Sequence, residues 1–332
     1  MAQTSATGTR LRILSGVQPS GKLHLGNYFG AIKQHIELQD EGECFYFIAD
    51  LHALTTIQNA EELQANVRDV ALDYLALGLD PKKTIFFRQS DVPEVTELAW
   101  IFSTVTGMGL LERAHSYKDK VARGLPASVG LFFYPVLMAA DILIYRSHLV
   151  PVGQDQVQHL EITRDIAGYF NRTYGEIFPL PEYRLGQAPV VPGLDGKKMS
   201  KSYGNTIEIF AEGKELKKKV MSIVTDSTPL EAPKDPDKCN VFKLYSLFAT
   251  PQEQQELAEK YRAGGFGYGQ AKQMLYEKIE QYFAAARQRR RELAKESGLV
   301  EEVLRQGAAR ARAEARATMA LVRRAVGLNP PP

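Results

Sequence analysis

The first half of the chain alternates short apolar segments with longer segments of helical periodicity, and no other feature constrains the fold as strongly. The apolar segments have the length of strands: RILSGV, ECFYFIAD, KTIFFRQ and HLVPVG. Helical patterns separate or follow them at residues 25–41, 61–77, 95–104 and 156–170. This alternation is typical of a parallel sheet with helices on both faces. We therefore predict an α/β fold with a doubly wound parallel sheet, whose ligands bind beyond the carboxyl ends of the strands.

After about Pro192 the strand-like segments disappear and helical patterns dominate, the longest of them a basic run at 270–296. This change predicts three parts. Residues 1–192 form the sheet domain, residues 193–300 form an all-helical domain, and residues 301–332 form a C-terminal helix. The apolar positions of that last helix are Met319, Leu321, Val322 and Val326. Because they recur with helical spacing, we expect the helix to pack back on the sheet domain.

Composition excludes several classes of protein. With 332 residues, 44% hydrophobic and 24% charged, the chain can bury a large core and is unlike disordered or coiled-coil sequences. Its net charge of +2 excludes a polycation. Cys44 and Cys239 lie far apart without metal-binding spacing, so we expect reduced structural thiols and no metal site. The N-terminal MAQTSATGTR lacks the apolar core of a secretory signal, which predicts a soluble, cytoplasmic protein.

The most apolar stretch, VGLFFYPVLMAADILIY at 129–145, contains Pro135 and Asp141 and is predicted to be a buried helix rather than a membrane span. An unpaired carboxylate there would be costly. Asp141 therefore either faces a pocket, where it accepts a donor such as an indole N–H, or is satisfied by backbone groups or an arginine such as Arg146.

Two segments have the composition of phosphate-binding sites. In SGVQPSGKLHLGNYFG, a strand leads through a turn into a helix near His24, and a helix N-terminus attracts anions. In LDGKKMSKSYGN, three lysines and two serines lie between glycines, and lysine suits a moving polyphosphate. Gly193, Gly196 and Gly204 are expected to give this loop freedom to close. A polar turn and a solvated basic loop are the alternatives.

These two segments carry a resemblance. HLGN resembles the HIGH signature of class I aminoacyl-tRNA synthetases, and KKMSKS is similar to their second signature, KMSKS. The two occur in the order found in that family. Asn27 replaces the second histidine of the first signature, and its amide can still donate a hydrogen bond to phosphate.

Further stretches are similar to the bacterial tryptophanyl-tRNA synthetases of that class. They are SGVQPSG, YPVLMAADILIY, PVGQDQVQH, EITRDIA and GGFGYGQAK, and the resemblance extends from Ile13 to about Gly327. It implies a Rossmann-like catalytic domain, an inserted helical domain that binds the tRNA anticodon, a homodimer and no editing domain. The implied activity joins L-tryptophan to ATP to form tryptophanyl-adenylate and pyrophosphate, and then transfers tryptophan to tRNA(Trp).

The resemblance also implies site residues. Those for tryptophan are the indole acceptor Asp141, the ring contact Met138, and Tyr134, Gln156 and His52. Those for ATP are Gln18, Pro19, Ser20, His24, Gly26, Asn27, Gly153, Gln154, Asp155, Val190, Lys198, Met199, Ser200, Lys201 and Ser202. Asp155 follows a strand at the carboxyl edge of the sheet, where a carboxylate can accept hydrogen bonds from both ribose hydroxyls.

By the same resemblance, Lys120, Lys198 and Lys201 are the expected catalytic residues, and an ordinary surface lysine is the alternative for Lys120. The attacking group is a substrate carboxylate that is already ionised at neutral pH, so no general base is needed. The reaction instead needs charge stabilisation on the α-phosphate and on the departing pyrophosphate. Mg²⁺ is expected to share this role while held mainly by phosphate oxygens, without protein ligands.

The basic segments 287–293 and 305–316 either contact tRNA phosphates or form solvated helix faces interleaved with glutamates.

Three other functions compete with this interpretation. A tyrosyl enzyme of the same subclass could also bind its phenol to Asp141, although Met138 stands where tyrosine enzymes usually carry glutamine. A small-molecule adenylyltransferase shares the HLGN-type turn but does not explain GQDQ and KMSKS. A relative without aminoacylation, acting as an RNA- or protein-binding module, is the third.

Overall fold

The computed structural model describes residues 11–114, 117–118, 128–153, 156–185 and 190–329. The chain packs into two compact units. The first comprises residues 1–21, 34–186 and 296–332, and the second comprises residues 22–33 and 187–295. The segment that contains HLGN thus belongs to the second unit, whereas the predicted boundary at residue 192 assigns it to the sheet domain.

A five-stranded, all-parallel sheet forms the centre of the first unit, as the strand–helix alternation predicts. Its order is β3-β2-β1-β4-β5. The strands are β1 Arg12–Val17, β2 Glu43–Ile48, β3 Thr84–Arg88, β4 Leu149–Val152 and β5 Glu182–Leu185. The order reverses between β1 and β4, so the ends of these two strands flank the topological switch point at which such sheets bind ligands.

Edge strand β5 has no counterpart among the predicted strands. Its side chains are mostly exposed, so it lacks the apolar run that identified the other four.

Helices of the first unit cover the sheet. They are Lys33–Leu38 (which starts in the second unit), Asp50–Ala53, Ala60–Leu77, Glu94–Ser103, Met108–Glu112, Val129–Ile144, Val157–Tyr174 and Leu299–Ala325. Local signals set their ends. Asn59 accepts a hydrogen bond from the Glu62 N–H (2.9 Å) at the start of one helix, and Gly78 ends it with φ 115°. The apolar stretch at 129–145 forms a buried helix, and no helix in the described part of the chain is long and apolar enough to cross a membrane.

The C-terminal helix Leu299–Ala325 belongs to the core of the first unit. Met319 and Val322 are fully buried in that core, whereas Leu321 is exposed. Gly307 lies against strand β3 so closely that a Cβ atom there would be 1.8 Å from the Phe86 carbonyl oxygen. The close approach of the helix and strand backbones therefore requires glycine at position 307.

The second unit is helical. Its helices are Leu25–Asn27, the π-helical turn Tyr28–Ile32, Gly213–Met221, Asn240–Ser246, Pro251–Ala263 and Tyr268–Leu293. Short 3₁₀ turns occur at Lys201–Tyr203 and Pro236–Lys238. Buried Leu216, Leu244, Leu257, Leu275 and Phe283 form its core.

Candidate active site

A buried carboxylate, Asp141, is the most unusual group of the first unit. It lies on the helix Val129–Ile144 with 2% of its surface exposed. Its Oδ2 is 3.0 Å from Nε2 of His52, and the amide nitrogen of Gln89 donates to Oδ1 (3.0 Å) and Oδ2 (2.8 Å). Within the described residues these bonds come from His52 and Gln89, and none comes from Arg146. Burial raises the pKa of the Asp141 carboxyl, and the hydrogen bonds from His52 and Gln89 oppose that rise.

Gln89 is a site residue that sequence reasoning missed. It lies in the 3₁₀ turn Gln89–Asp91 that follows β3, and it is completely buried. Its side-chain oxygen accepts the N–H groups of Leu51 (3.1 Å) and His52 (3.3 Å), at the start of the helix that follows β2. The available signal was a polar residue directly after an apolar strand, since such residues lie at the carboxyl edge of the sheet.

Two of the residues expected to bind tryptophan, Tyr134 and His52, lie beside each other in the first unit. Their rings meet edge to face with centroids 6.0 Å apart. The Tyr134 hydroxyl is 2.6 Å from Nε2 of His159, a partner that the sequence did not predict. Met138 is half-buried on the same helix as Tyr134 and Asp141, and Gln156 is the N-cap of the helix Val157–Tyr174.

Two expected ATP-binding segments follow the strands that flank the switch point. Gln18, Pro19 and Ser20 follow β1, where the Ser20 N–H donates to the Gln18 carbonyl (2.9 Å). Gly153 follows β4 and is exposed. Gln154, Asp155 and Lys120 lie outside the described residues.

In the second unit, the HLGN turn begins a helix, as the sequence predicts. The His24 N–H donates to the Asn27 side-chain oxygen (3.0 Å), which caps the turn. His24 is 6% exposed, and burial, with the nearby charge of Lys201, lowers its pKa to about 4. Its imidazole is therefore neutral at pH 7, and its Nδ1 atom is buried without a hydrogen-bond partner.

The two signature segments are adjacent within the second unit. His24 pairs with Glu208 in an antiparallel bridge, and the Leu25 N–H donates to the Ile207 carbonyl (3.0 Å). A Cβ atom on Gly26 would lie 3.0 Å from the ring of His24 and 3.4 Å from Cβ of Met199, so Gly26 and Met199 are neighbours.

A buried asparagine, Asn205, holds the second signature loop in shape. Its amide nitrogen donates to Asp195 Oδ1 (2.7 Å) and to the Lys198 carbonyl (3.2 Å), and its oxygen accepts the Ser200 N–H (2.8 Å). Lys198 is exposed on this loop, Lys201 is half-buried, and the Ser200 and Ser202 hydroxyls are 2.8 Å apart. Met199 is buried, whereas Val190 is 71% exposed.

Two glycines of this loop, Gly193 and Gly196, lie where a larger residue would clash. A Cβ atom on Gly193 would lie 2.3 Å from the Asn205 side chain, and one on Gly196 would lie 2.4 Å from that of Asn240. Gly196 (φ 82°) and Gly204 (φ 63°) also have positive φ angles, which favour glycine. Gly193 and Gly196 therefore also allow close packing of the loop, and their expected role in loop closure stays a prediction.

Most arginines of the two basic segments pair with carboxylates. Arg287 is 2% exposed, bonds to Glu280 (2.7 Å), and donates to the Ile209 carbonyl (3.1 Å). In the C-terminal helix, Arg312 (2.8 Å) and Arg316 (3.1 Å) both contact Glu94. Further pairs are Arg291 with Glu212 and Arg305 with Glu302. Buried Arg287 serves the packing of the second unit, whereas Arg291, Arg305 and Arg316 form exposed ion pairs that contribute little to stability.

Comparison with known proteins agrees with this geometry. The family model for class I tRNA synthetases (W and Y) matches residues 6–284. A tryptophan–tRNA ligase of Rhodopirellula baltica is 56% identical over 96% of this chain and 100% of its own length. The tryptophanyl-tRNA synthetase of Campylobacter jejuni, solved with ADP and tryptophan, has a TM-score of 0.90 and 54% identity, covering 96% of this chain and 100% of that one. The Mycoplasma pneumoniae enzyme has a TM-score of 0.81 and 31% identity, covering 96% and 98%.

Identity at this level over nearly the whole of both chains, combined with both signatures and a doubly wound sheet, leads to one assignment: the chain belongs to the class I tRNA synthetases for tryptophan and tyrosine, and within them to the tryptophan–tRNA ligases.

Proposed function

We propose that the protein activates L-tryptophan with ATP and then transfers it to tRNA(Trp). The observation that carries this proposal is Asp141, a buried acceptor in a chain of the tryptophan–tRNA ligase family. The relative from Campylobacter jejuni, 54% identical, was solved with ADP and tryptophan, which supports the same two ligands here.

In the first half-reaction, a carboxylate oxygen of tryptophan attacks the α-phosphorus of ATP. The bond from that phosphorus to the bridging oxygen breaks, and pyrophosphate leaves with the electron pair. In the second, a ribose hydroxyl of tRNA attacks the carbonyl carbon of the adenylate, and AMP leaves.

Each group of residues has a proposed role. Asp141 accepts the indole N–H, which can only donate, and Met138 packs on the ring. Tyr134, Gln156 and His52 hold the amino acid. Lys198, Lys201 and Lys120 stabilise charge on the phosphates. The other expected ATP contacts keep their role as a proposal: Gln18, Pro19, Ser20, His24, Gly26, Asn27, Gly153, Gln154, Asp155, Val190, Met199, Ser200 and Ser202.

We propose that Mg²⁺ enters with ATP. In the described part of the chain no three acidic, histidine or cysteine side chains converge on a metal-binding position. Held by the phosphate oxygens of ATP, the ion would supply positive charge to the leaving pyrophosphate. The lysines add charge from the protein side.

We further propose a cytoplasmic homodimer whose helical unit binds the tRNA anticodon. Two large apolar side chains on the first unit support self-association: Trp100 is 69% exposed and Met108 is 63% exposed on successive helices. Sedimentation of the wild type and of Trp100→Glu tests the dimer. A wild type that sediments as a monomer at micromolar concentration would overturn it.

Pyrophosphate exchange with each of the twenty amino acids, followed by charging of tRNA, tests the function. Exchange with tryptophan alone is the expected result. Exchange with tyrosine instead would overturn the specificity, and exchange without charging would favour a different acceptor.

Asp141→Ala tests the specificity determinant. It should raise the KM for tryptophan at least about tenfold, because a hydrogen bond to a charged group is lost. Asp165→Ala, at an exposed position on the helix Val157–Tyr174, is the matched control and should leave exchange unchanged. An unaltered KM in Asp141→Ala would contradict the role of this carboxylate.

A further inference from the structure

Gln89, in the turn that follows strand β3, contacts Asp141 but is not among the residues expected to bind substrate. Gln89 is completely buried, and both of its polar atoms are bonded. Its amide N–H donates to both oxygens of Asp141, and its oxygen accepts two backbone N–H groups. That acceptance fixes the orientation of the amide, because the flipped amide would point N–H groups at backbone N–H groups.

We infer that Gln89 is a positioning residue for substrate specificity, which holds Asp141 as an ionised acceptor aimed at the indole N–H. This inference rests on the proposed function. An ionised carboxylate has about four acceptor positions. Gln89 and His52 occupy three of them, so one position remains for a donor from the substrate.

The neutral amide is the suitable group for this task. A cation at this position would pair with the carboxylate and weaken its attraction for the weakly polar indole N–H. The Gln89 amide supplies donors without a charge, so Asp141 keeps its negative charge where water is excluded and a charge-assisted hydrogen bond is strong.

Gln89 also joins three elements that are far apart in sequence. Its oxygen bonds the Leu51 and His52 N–H groups after β2, and its nitrogen bonds Asp141 on the helix Val129–Ile144. His52, which is the second donor to Asp141, is therefore placed by Gln89 as well.

The titratable groups around Asp141 decide how the site depends on pH. His52 donates to it, and burial together with the charge of Asp50 raises its pKa. Tyr145, the C-cap of the same helix, has its own pKa raised by burial and by the charge of Asp141. Removing the Gln89 amide removes two bonds to the ionised form, so the pKa of Asp141 must rise further.

Two substitutions at this position have opposite expected pH dependences. In Gln89→Met the carboxylate becomes easier to protonate, so kcat/KM for tryptophan falls as the pH is lowered. In Gln89→Glu a protonated glutamic acid can still donate to Asp141, but two adjacent carboxylates cannot both ionise readily. The activity of that variant therefore falls as the pH is raised. A residue that serves only to fill space produces neither change.

Specificity is the second measurement. Pyrophosphate exchange is followed with tryptophan and with its benzothiophene isostere, in which sulfur replaces the N–H. The wild type should prefer tryptophan about a hundredfold or more, because the isostere leaves a buried acceptor unpaired. Gln89→Met should reduce that preference about tenfold. Both substrates are assayed on one preparation, so the folded fraction cancels from the ratio.

Ser90→Ala is the matched control. Ser90 is exposed, and its hydroxyl joins the same two turns through Asp50, but it does not touch Asp141. It should leave both the preference and the pH profile as in the wild type. A Gln89→Met preference equal to that of the wild type, or a loss of preference in Ser90→Ala of the same size, would overturn the inference. Failure of the wild type to exchange with tryptophan would instead overturn the proposed function.

Discussion

Gly307→Ala should destabilise the protein, although alanine is the better helix former. Gly307 lies in the interior of the helix Leu299–Ala325 and is buried against strand β3. A Cβ atom would lie 1.8 Å from the Phe86 carbonyl oxygen and 2.6 Å from its carbonyl carbon. To reach an ordinary contact distance, helix and strand must separate by roughly 1.5 Å. The clashing atoms belong to the backbone, so they cannot move aside by a side-chain rotation.

The magnitude follows from two opposed terms. Replacing glycine by alanine within a helix gains about 1 kcal/mol. Forcing a methyl group into a packed contact costs about 1–3 kcal/mol, and the upper end applies because the obstacle is backbone. The separation also weakens the packing of Met319 and Val322, which lie further along the same helix in the core. We expect a net loss of about 2 kcal/mol in the free energy of unfolding.

Urea-induced unfolding followed by circular dichroism measures this loss. Gly168→Ala is the control, because Gly168 also lies within a helix of the first unit. Its Cβ atom would meet only the end of the Arg172 side chain, at 3.2 Å, which can move aside. That variant should gain up to about 1 kcal/mol. Equal stability of the two variants would refute the reasoning, since propensity alone would then decide both.

Three further predictions concern pH, the second signature loop and catalysis. Burial lowers the pKa of His35 to about 4. As the pH falls from 6.5 to 4, the unfolded state therefore binds a proton before the folded state does, and the free energy of unfolding declines by up to about 3 kcal/mol. Urea unfolding of His35→Phe should show a smaller decline, and a decline identical to that of the wild type would contradict the lowered pKa of His35. Asn205→Ala removes three hydrogen bonds within the second signature loop. Limited proteolysis should therefore cleave residues 194–205 faster than in the wild type. An unchanged rate of cleavage would show that other contacts hold the loop. Lys201→Ala should lower the rate of tryptophan activation about a hundredfold, with little change in the KM for tryptophan. Lys197→Ala, at an exposed position of the same loop, should leave the rate unchanged. A change in the KM alone would contradict the proposed role of Lys201.

The strands that bury both faces could be predicted from the sequence, because apolar runs of strand length report directly on burial. β1 to β4 lie where the apolar segments predicted them. The edge strand β5 could not be predicted, since its exposed side chains leave no apolar pattern. The helix at 25–41 was correct in its start and too long at its end, because it stops at Leu38 before a turn.

The candidate site divides in the same way. The order of HLGN and KMSKS is a property of the sequence, and so is the presence of an acid within an apolar helix. The partners of that acid are not. His52 and Gln89 lie 89 and 52 residues from Asp141, and only the packing of β2, β3 and the helix Val129–Ile144 brings them to it.

The sequence by itself therefore determined the α/β class, the family and the choice of candidate site residues, because these depend on local patterns and short motifs. Tertiary structure decided which donors satisfy Asp141, that Gly193 and Gly196 serve packing, and that Arg287, Arg312 and Arg316 pair with neighbouring groups. The physical reason is that a hydrogen bond or a close contact needs two groups at a defined distance. Chain segments far apart in sequence acquire that distance only when the sheet and its helices have packed.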